Sequence, residues 1–89
     1  MQSEAGAPVV GDSTAIRAIL KQHGRLSVDP NTLTEQDDLY FAGLTSLATV
    51  NVMLALENHF DIEFPDSMLS RKTFASLEAI AEAVAELRG

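Results

Sequence analysis

Apolar residues recur at intervals of three and four in several stretches of the chain, which is the period of an amphipathic helix. The first predicted helix has its apolar positions on one face: Ile16, Ile19 and Leu20. Asp12 or Ser13 can cap its start, and Gly24 is suited to end it. Residues 1–11 contain few apolar anchors, so we expect a flexible tail there and a single folded domain over residues 12–89.

A second helix is predicted from about Ser46 to about His59, because no Gly or Pro interrupts this stretch. It carries two apolar arcs on nearly opposite sides. The wider arc has the width of a core-facing side and comprises Thr49, Val52, Met53, Leu56 and Phe60. The narrower arc comprises Leu47, Val50 and Leu54. Two explanations of the narrower arc stay open: the preceding loop folds over it, or it is a partly exposed docking patch.

Residues 25–45 show no sustained period and contain turn-forming residues, so we expect a long loop between the first two helices. Four apolar residues are candidates to anchor it: Leu26, Val28, Leu33 and Leu39. Asp66 can cap a short third helix through Leu69, and Ser76 can cap a last one. The last helix has a predicted buried face of Leu77, Ile80, Ala81, Val84 and Leu87. No segment shows strand alternation, so the predicted fold is an all-α four-helix bundle.

Length and charge exclude several classes of function. The 89 residues suffice for one modest core and are too few for a two-domain enzyme. Thirteen acidic and six basic residues give a formal net charge of -7, which disfavours nucleic acid and anionic membranes and favours basic partners. The absence of cysteine excludes disulfides and thiolate zinc sites. Because neither a signal peptide nor a membrane-spanning pattern is present, we expect a cytoplasmic protein with no membrane association.

Two sequence elements, separated by the length of the second helix, form the most specific pattern. They are Gly43-Leu44-Thr45-Ser46-Leu47 and Phe60-Asp61-Ile62-Glu63-Phe64-Pro65-Asp66. Together they resemble the acyl carrier protein family, over roughly residues 16–87. The resemblance implies a bundle of acyl-carrier-protein type, in which Ser46 bears a phosphopantetheine arm donated from coenzyme A by a phosphopantetheinyl transferase. A serine at a helix start also favours a phosphate on physical grounds, because unpaired amides and the helix dipole attract negative charge. A simple N-cap role for Ser46 is compatible with this prediction.

Departures from the common family pattern indicate the cargo. Thr45 stands where most members have Asp, and Glu57 is the only acidic residue between Ser46 and Phe60. With the run Arg71-Lys72-Thr73-Phe74-Ala75-Ser76, these departures resemble the stand-alone bacterial aminoacyl carrier proteins. That resemblance implies a carrier, not an enzyme, which holds a small amino acid such as glycine or alanine as a thioester. A ligase similar to class II seryl-tRNA synthetases would load it, and an unknown downstream acceptor would receive the cargo. We expect a monomer.

Docking by partners is expected to rely on apolar contact beside the serine. The predicted docking residues are Thr45, Leu47, Val50, Leu54, Arg71 and Lys72. For Arg71 and Lys72, a solvated helix end is the alternative explanation. Two alternative functions also stay open: a carrier of fatty or polyketide-type acyl groups, and a helical adaptor that is never modified.

Catalysis and metal binding by the chain itself are disfavoured. A catalytic serine needs an adjacent base, but His59 lies roughly 20 Å along the helix from Ser46, and His23 belongs to no known motif. The acidic loop, read as a calcium-binding EF-hand from Asp29, lacks the required Gly at its sixth position and Glu at its twelfth. We therefore predict neither catalytic residues nor a metal site.

Overall fold

The computed structural model describes residues 7–88, and every regular element in that range is a helix or a helical turn. The long elements are three α-helices: α1 (Ala7–Ile19), α2 (Ser46–Phe60) and α3 (Leu77–Arg88). The predicted all-helical fold is confirmed, since the described part of the chain contains no strand. None of the described helices is long and apolar enough to cross a membrane.

The short third helix predicted at residues 66–69 is present as a 3-10 turn, Asp66–Met68, and a second 3-10 turn follows it, Arg71–Phe74. The predicted count of four helices is therefore not confirmed. Asp66 is the first residue of its turn and makes no side-chain capping bond, because Pro65 occupies the cap position. Ser70, between the turns, has an extended backbone, so each turn closes only bonds between residues three apart and no α-helix develops.

Helix α1 starts earlier than predicted. Its first residue is Ala7, so the prediction of a cap at Asp12 or Ser13 is wrong. Pro8 is compatible with this start, because residues of the first helical turn need no partner for their N–H groups. The tail predicted up to residue 11 therefore overlaps α1, and its first six residues lie outside the described part of the chain. The division into a tail and a carrier domain stays a prediction.

The core lies where the three helices pack together. The predicted face of α1 is confirmed, since Ile16, Ile19 and Leu20 are all buried. Helix α2 contributes Ala48, Val52 and Leu56, and α3 contributes Leu77, Ile80, Ala83 and Val84. The wider arc predicted for α2 is correct on the side of Val52 and Leu56, whereas Thr49, Met53 and Phe60 on its other side are only partly buried. The buried side of α2 is thus rotated toward Ala48.

The segment between α1 and α2 is held against the helices. A π-helical turn, Leu20–Gly24, extends α1 to the predicted end at Gly24, and Arg25 then adopts a left-handed backbone conformation. Leu39 is fully buried, and Leu26 and Leu33 pack against the core. Val28, in contrast, is 43% exposed and does not anchor the segment. Three of the four predicted anchors are therefore confirmed.

Polar side chains complete the attachment of this segment. The Arg17 guanidinium on α1 donates hydrogen bonds to the carbonyl oxygens of Pro30, at 2.6 Å, and Leu33, at 2.8 Å. The Ser13 hydroxyl, buried inside α1, donates to the Glu35 carboxylate at 3.0 Å. The Pro30 carbonyl also accepts a hydrogen bond from the Leu33 amide, at 3.2 Å, within the 3-10 turn Pro30–Thr32. Together these bonds give the segment a defined conformation without a long helix.

The acidic residues of the same segment stabilise its turns. The carboxylates of Asp29, Asp37 and Asp38 accept hydrogen bonds from nearby backbone amides, at 2.9 Å from Asn31, Thr34 and Tyr40 respectively. Such bonds are typical of Asp in tight turns. These acids therefore shape the approach of the chain to α2.

Candidate functional site

Thr45, and not Ser46, caps the start of α2. The Thr45 hydroxyl accepts a hydrogen bond from the Ala48 amide at 3.0 Å, and Ser46 is the first helical residue. The N-cap interpretation of Ser46 is therefore wrong. The Ser46 side chain is exposed, and no described residue forms a hydrogen bond with its hydroxyl. Because Thr45 caps the helix, the Ser46 oxygen stays accessible to another molecule.

Gly43 sets the path by which the chain enters α2. Its φ of 115° lies in a region that residues with a Cβ rarely adopt. A Cβ at this position would lie 2.7 Å from the Ser27 hydroxyl oxygen and 3.0 Å from the Ser27 backbone nitrogen. The adjacent Ala42 carbonyl accepts a hydrogen bond from the Ser27 amide at 2.8 Å, which holds these two segments of the loop together. A glycine is therefore required at this position of the first sequence element on steric grounds.

Ser46 stands at the edge of an open groove of about 290 Å³ between α2 and the two 3-10 turns. The groove is lined by Tyr40, Ser46, Thr49, Val50, Met53, Leu69, Ser70, Arg71 and Phe74. The Arg71 guanidinium lies 3.9 Å from the centroid of the Tyr40 ring, in a cation–π arrangement. The groove therefore combines apolar walls with one positive charge beside the serine.

The two basic residues of the predicted docking set lie on different surfaces. Arg71 lines the groove that contains Ser46, whereas Lys72 lines a separate depression together with Glu82 and Glu86 of α3. Only Arg71 thus lines the same groove as the serine. The two residues lie on different surfaces because adjacent residues of a tight helical turn point in different directions.

The narrower arc of α2 is exposed to solvent, so the explanation in which the preceding loop folds over it is wrong, and its role as a docking patch stays a prediction. The accessible fractions are 76% for Leu47, 48% for Val50 and 53% for Leu54. The preceding loop does not cover them. Val50 borders the groove beside Ser46, and Leu54 borders a second depression between α2 and the end of α1. Exposed apolar side chains therefore follow α2 from the serine toward its middle.

Glu57 serves the fold. Its carboxylate accepts a hydrogen bond from the Phe64 amide at 2.8 Å. This bond holds the chain after α2 so that Phe64 is buried against Phe74, with 5.4 Å between ring centroids. Asp61, with a left-handed backbone, ends the helix just before this return. The second sequence element is thus a helix end followed by a core anchor, and the one acid of α2 is engaged in it.

The surroundings of Ser46 lack the base that a nucleophilic serine requires. Neither His23 nor His59 lines the groove with Ser46, and both border the depression at the other end of the exposed arc. The His59 ring packs edge-on against Phe60, with 4.7 Å between centroids. The described side chains of the groove therefore do not activate Ser46 for catalysis.

Two aromatic residues near the site were not predicted. Tyr40 lines the groove and stacks with Arg71, and Phe41 is almost fully exposed. The one available signal was a pair of adjacent aromatics in a predicted loop.

A small helical domain with an accessible serine at a helix start, flanked by apolar surface, has the features of a carrier domain that other enzymes act on.

The chain belongs to the phosphopantetheine attachment site family, whose model matches residues 15–84. Members of this family carry a phosphopantetheine prosthetic group. The chain is 49% identical over 72 residues to the aminoacyl carrier protein of Agrobacterium fabrum. This match covers 81% of this chain and 87% of that protein. It is 43% identical over 53 residues to the D-alanyl carrier protein of Streptococcus mutans, with 58% and 67% covered.

A similar solved structure has the same fold. It is the carrier protein from Agrobacterium tumefaciens in complex with an engineered Bradyrhizobium japonicum glycine:[carrier protein] ligase and AMP. The TM-score is 0.80 and the identity 48%, and the match covers 82% of this chain and 97% of that one. The predicted resemblance to phosphopantetheine-binding carriers, and within them to aminoacyl carriers, is confirmed.

Proposed function

We propose that this protein is an aminoacyl carrier in which Ser46 bears the phosphopantetheine arm and a small amino acid is held on that arm. The observation that carries the proposal is the accessible Ser46 hydroxyl at the first residue of α2, with the capping role taken by Thr45. The arm, when attached, supplies the thiol that binds a carboxylic acid as a thioester.

The residues around Ser46 fit the phosphate of such an arm. Thr45 engages the Ala48 amide, while the amides of Ser46 and Leu47 belong to the first turn, where helical N–H groups have no intrahelical partner. The positive end of the helix dipole favours an anion here by about 0.3–1 kcal/mol. Thr45 is neutral and adds no repulsion, and Arg71 places a positive charge in the same groove.

Three kinds of partner follow from this proposal. A phosphopantetheinyl transferase installs the arm from coenzyme A, a ligase similar to class II seryl-tRNA synthetases loads glycine or alanine, and an acceptor enzyme receives the cargo. The similarity to a carrier seen with a glycine:[carrier protein] ligase supports the second of these. We further propose that the carrier acts as a cytoplasmic monomer.

These partners dock on the exposed arc of α2, formed by Leu47, Val50 and Leu54, beside Thr45 and Arg71. Because the arc is apolar and Glu57 is the only acidic residue of α2, this surface offers apolar contact more than negative charge. Lys72, the remaining predicted docking residue, lines a separate depression with acidic side chains of α3, and its docking role stays a prediction.

The test is enzymatic loading of the phosphopantetheinylated protein. The protein is incubated with ATP, glycine or alanine, and the ligase from the same genome that most resembles the crystallised glycine:[carrier protein] ligase. We expect a mass increase of one aminoacyl group, which hydroxylamine releases as expected for a thioester. The Ser46→Ala variant should accept none, whereas Ser70→Ala, a serine substitution in the same groove, should load normally. Ready transfer of malonyl or fatty acyl groups without any aminoacyl transfer would contradict the proposal.

A further inference from the structure

Phe41 presents the most exposed large apolar side chain among the described residues. Its accessible fraction is 92%, and it precedes Ser46 by five residues. Burial of a Phe side chain is a major source of stability for a small domain. We propose that Phe41 is an anchor residue for the ligase that loads the arm, and that it inserts into an apolar pocket of that enzyme. This inference rests on the proposed function.

The exposure of Phe41 is imposed by an ordered turn. The Asp38 carboxylate accepts hydrogen bonds from the amides of Tyr40, at 2.9 Å, and Phe41, at 3.3 Å. On either side, Leu39 is fully buried and the Ala42 carbonyl accepts a hydrogen bond from Ser27. The backbone that carries Phe41 is therefore fixed at both ends. A backbone held in this way loses little conformational entropy on binding, so the cost of ordering is confined to the Phe41 side chain itself.

The two adjacent aromatics have different surroundings. The Tyr40 side chain turns toward the groove beside Ser46 and packs under Arg71, while Phe41 points into solvent. Tyr40 therefore makes an intramolecular contact with Arg71, whereas no described residue covers Phe41. Aromatic residues of this kind are enriched at the energetic centres of protein interfaces.

The position of Phe41 and the complex formed by a similar carrier together favour the ligase as the partner. Five residues of chain span at most roughly 18 Å, so an enzyme that works on an arm at Ser46 must approach Phe41. Phe41 precedes the serine and Leu47 follows it, so apolar side chains flank the attachment point on both sides. A carrier of the same fold, 48% identical, is seen in complex with a glycine:[carrier protein] ligase. Since Glu57 is the only acidic residue of α2, such a ligase depends on apolar contacts of this type more than on charge.

The test compares Phe41→Ser with the matched control Val28→Ser, which replaces another exposed apolar residue of the same segment. Both variants are phosphopantetheinylated and assayed with the ligase from the same genome, ATP and amino acid, and ligase affinity is also measured by calorimetry. We expect Phe41→Ser to raise the KM and the Kd about 10-fold to 30-fold, as for an interface anchor. The kcat should change by less than about twofold, because Phe41 acts in binding and not in chemistry. Val28→Ser should match the wild type.

Several outcomes would overturn the inference. One is a Phe41→Ser variant whose KM and Kd equal those of the wild type. Another is a Phe41→Ser variant whose phosphopantetheinyl transfer is impaired as strongly as its loading, which would assign Phe41 to the transferase. A third is a wild-type dimer in gel filtration that Phe41→Ser dissociates while loading is unchanged, which would assign it to a second copy of the chain. A wild-type protein that the ligase neither binds nor loads would instead contradict the proposed function itself, and this partner with it.

Discussion

Leu54 and Leu56 lie two residues apart on α2 in opposite surroundings, which makes them a matched pair for substitution. Leu56 is fully buried in the core, whereas Leu54 is 53% exposed. Truncation of Leu56 to Ala removes three carbons at about 0.8 kcal/mol each, roughly 2.4 kcal/mol in all. The cavity that remains raises the expected loss of unfolding free energy to about 3–5 kcal/mol. At Leu54 about half of the side chain is already in water and no cavity is enclosed, so the expected loss is about 1 kcal/mol or less.

The assay is urea denaturation of Leu54→Ala and Leu56→Ala, followed by the helical circular dichroism signal. A domain of this length has a total unfolding free energy of about 4–13 kcal/mol, so the Leu56 variant should lose a large part of it. Similar m-values in both variants would establish that the same transition is being compared. The Leu54 variant should stay folded but show a raised KM for the ligase. Equal losses of stability at the two positions would refute the assignment of a buried and an exposed side of α2.

Three further predictions concern the start of α2 and the loop before it. Gly43→Ala should lower the unfolding free energy by about 2 kcal/mol or more, because of the positive φ and the close approach to Ser27; an unchanged thermal midpoint would contradict this. Thr45→Ala should lower the unfolding free energy measured by urea denaturation by about 1 kcal/mol, because it removes the acceptor for the Ala48 amide, whereas Thr45→Ser should retain most of the wild-type stability. Arg17→Ala should lower the unfolding free energy by about 2 kcal/mol and accelerate amide hydrogen exchange in the loop before α2. Exchange at the wild-type rate would show that the guanidinium does not hold this loop.

The elements with strong periodicity were predictable from the chain alone. Helix α2 begins at Ser46 as predicted and ends at Phe60, one residue later than predicted. The cap of α3 was also predicted correctly, since the Ser76 hydroxyl accepts a hydrogen bond from the Ala79 amide at 3.0 Å. In these places a local signal, a cap residue or an uninterrupted helical stretch, coincides with the packing of the fold.

Local signals were insufficient where two of them compete. Thr45 and Ser46 are both good N-cap residues, and only the backbone conformation, extended at Thr45, shows which one caps α2. Ser13 has the same cap chemistry, but α1 already begins at Ala7, so Ser13 lies within the helix. Its hydroxyl bonds to Glu35, 22 residues away. A tertiary contact of this kind has no local sequence signature, so the sequence did not distinguish this serine from a capping one.

The candidate site was predictable in its centre and not at its edges. The motif around Ser46 predicted the serine, and the helical period predicted the second apolar arc. The contacts of Arg17 with carbonyl oxygens 13 and 16 residues away, and the outward direction of Phe41, depend on how the loop folds. An apolar residue in a loop is assigned to the core by default, and only a structure reveals that it faces solvent.

The central claim is that Ser46 bears phosphopantetheine, and intact mass spectrometry tests it most directly. The purified chain is measured before and after incubation with coenzyme A and a broad-specificity phosphopantetheinyl transferase, with Ser46→Ala and Ser70→Ala alongside. We predict a gain of one phosphopantetheine in the wild type and in Ser70→Ala, and none in Ser46→Ala. No gain in the wild type with several transferases would contradict the carrier function and favour an unmodified helical adaptor that docks through the exposed arc of α2.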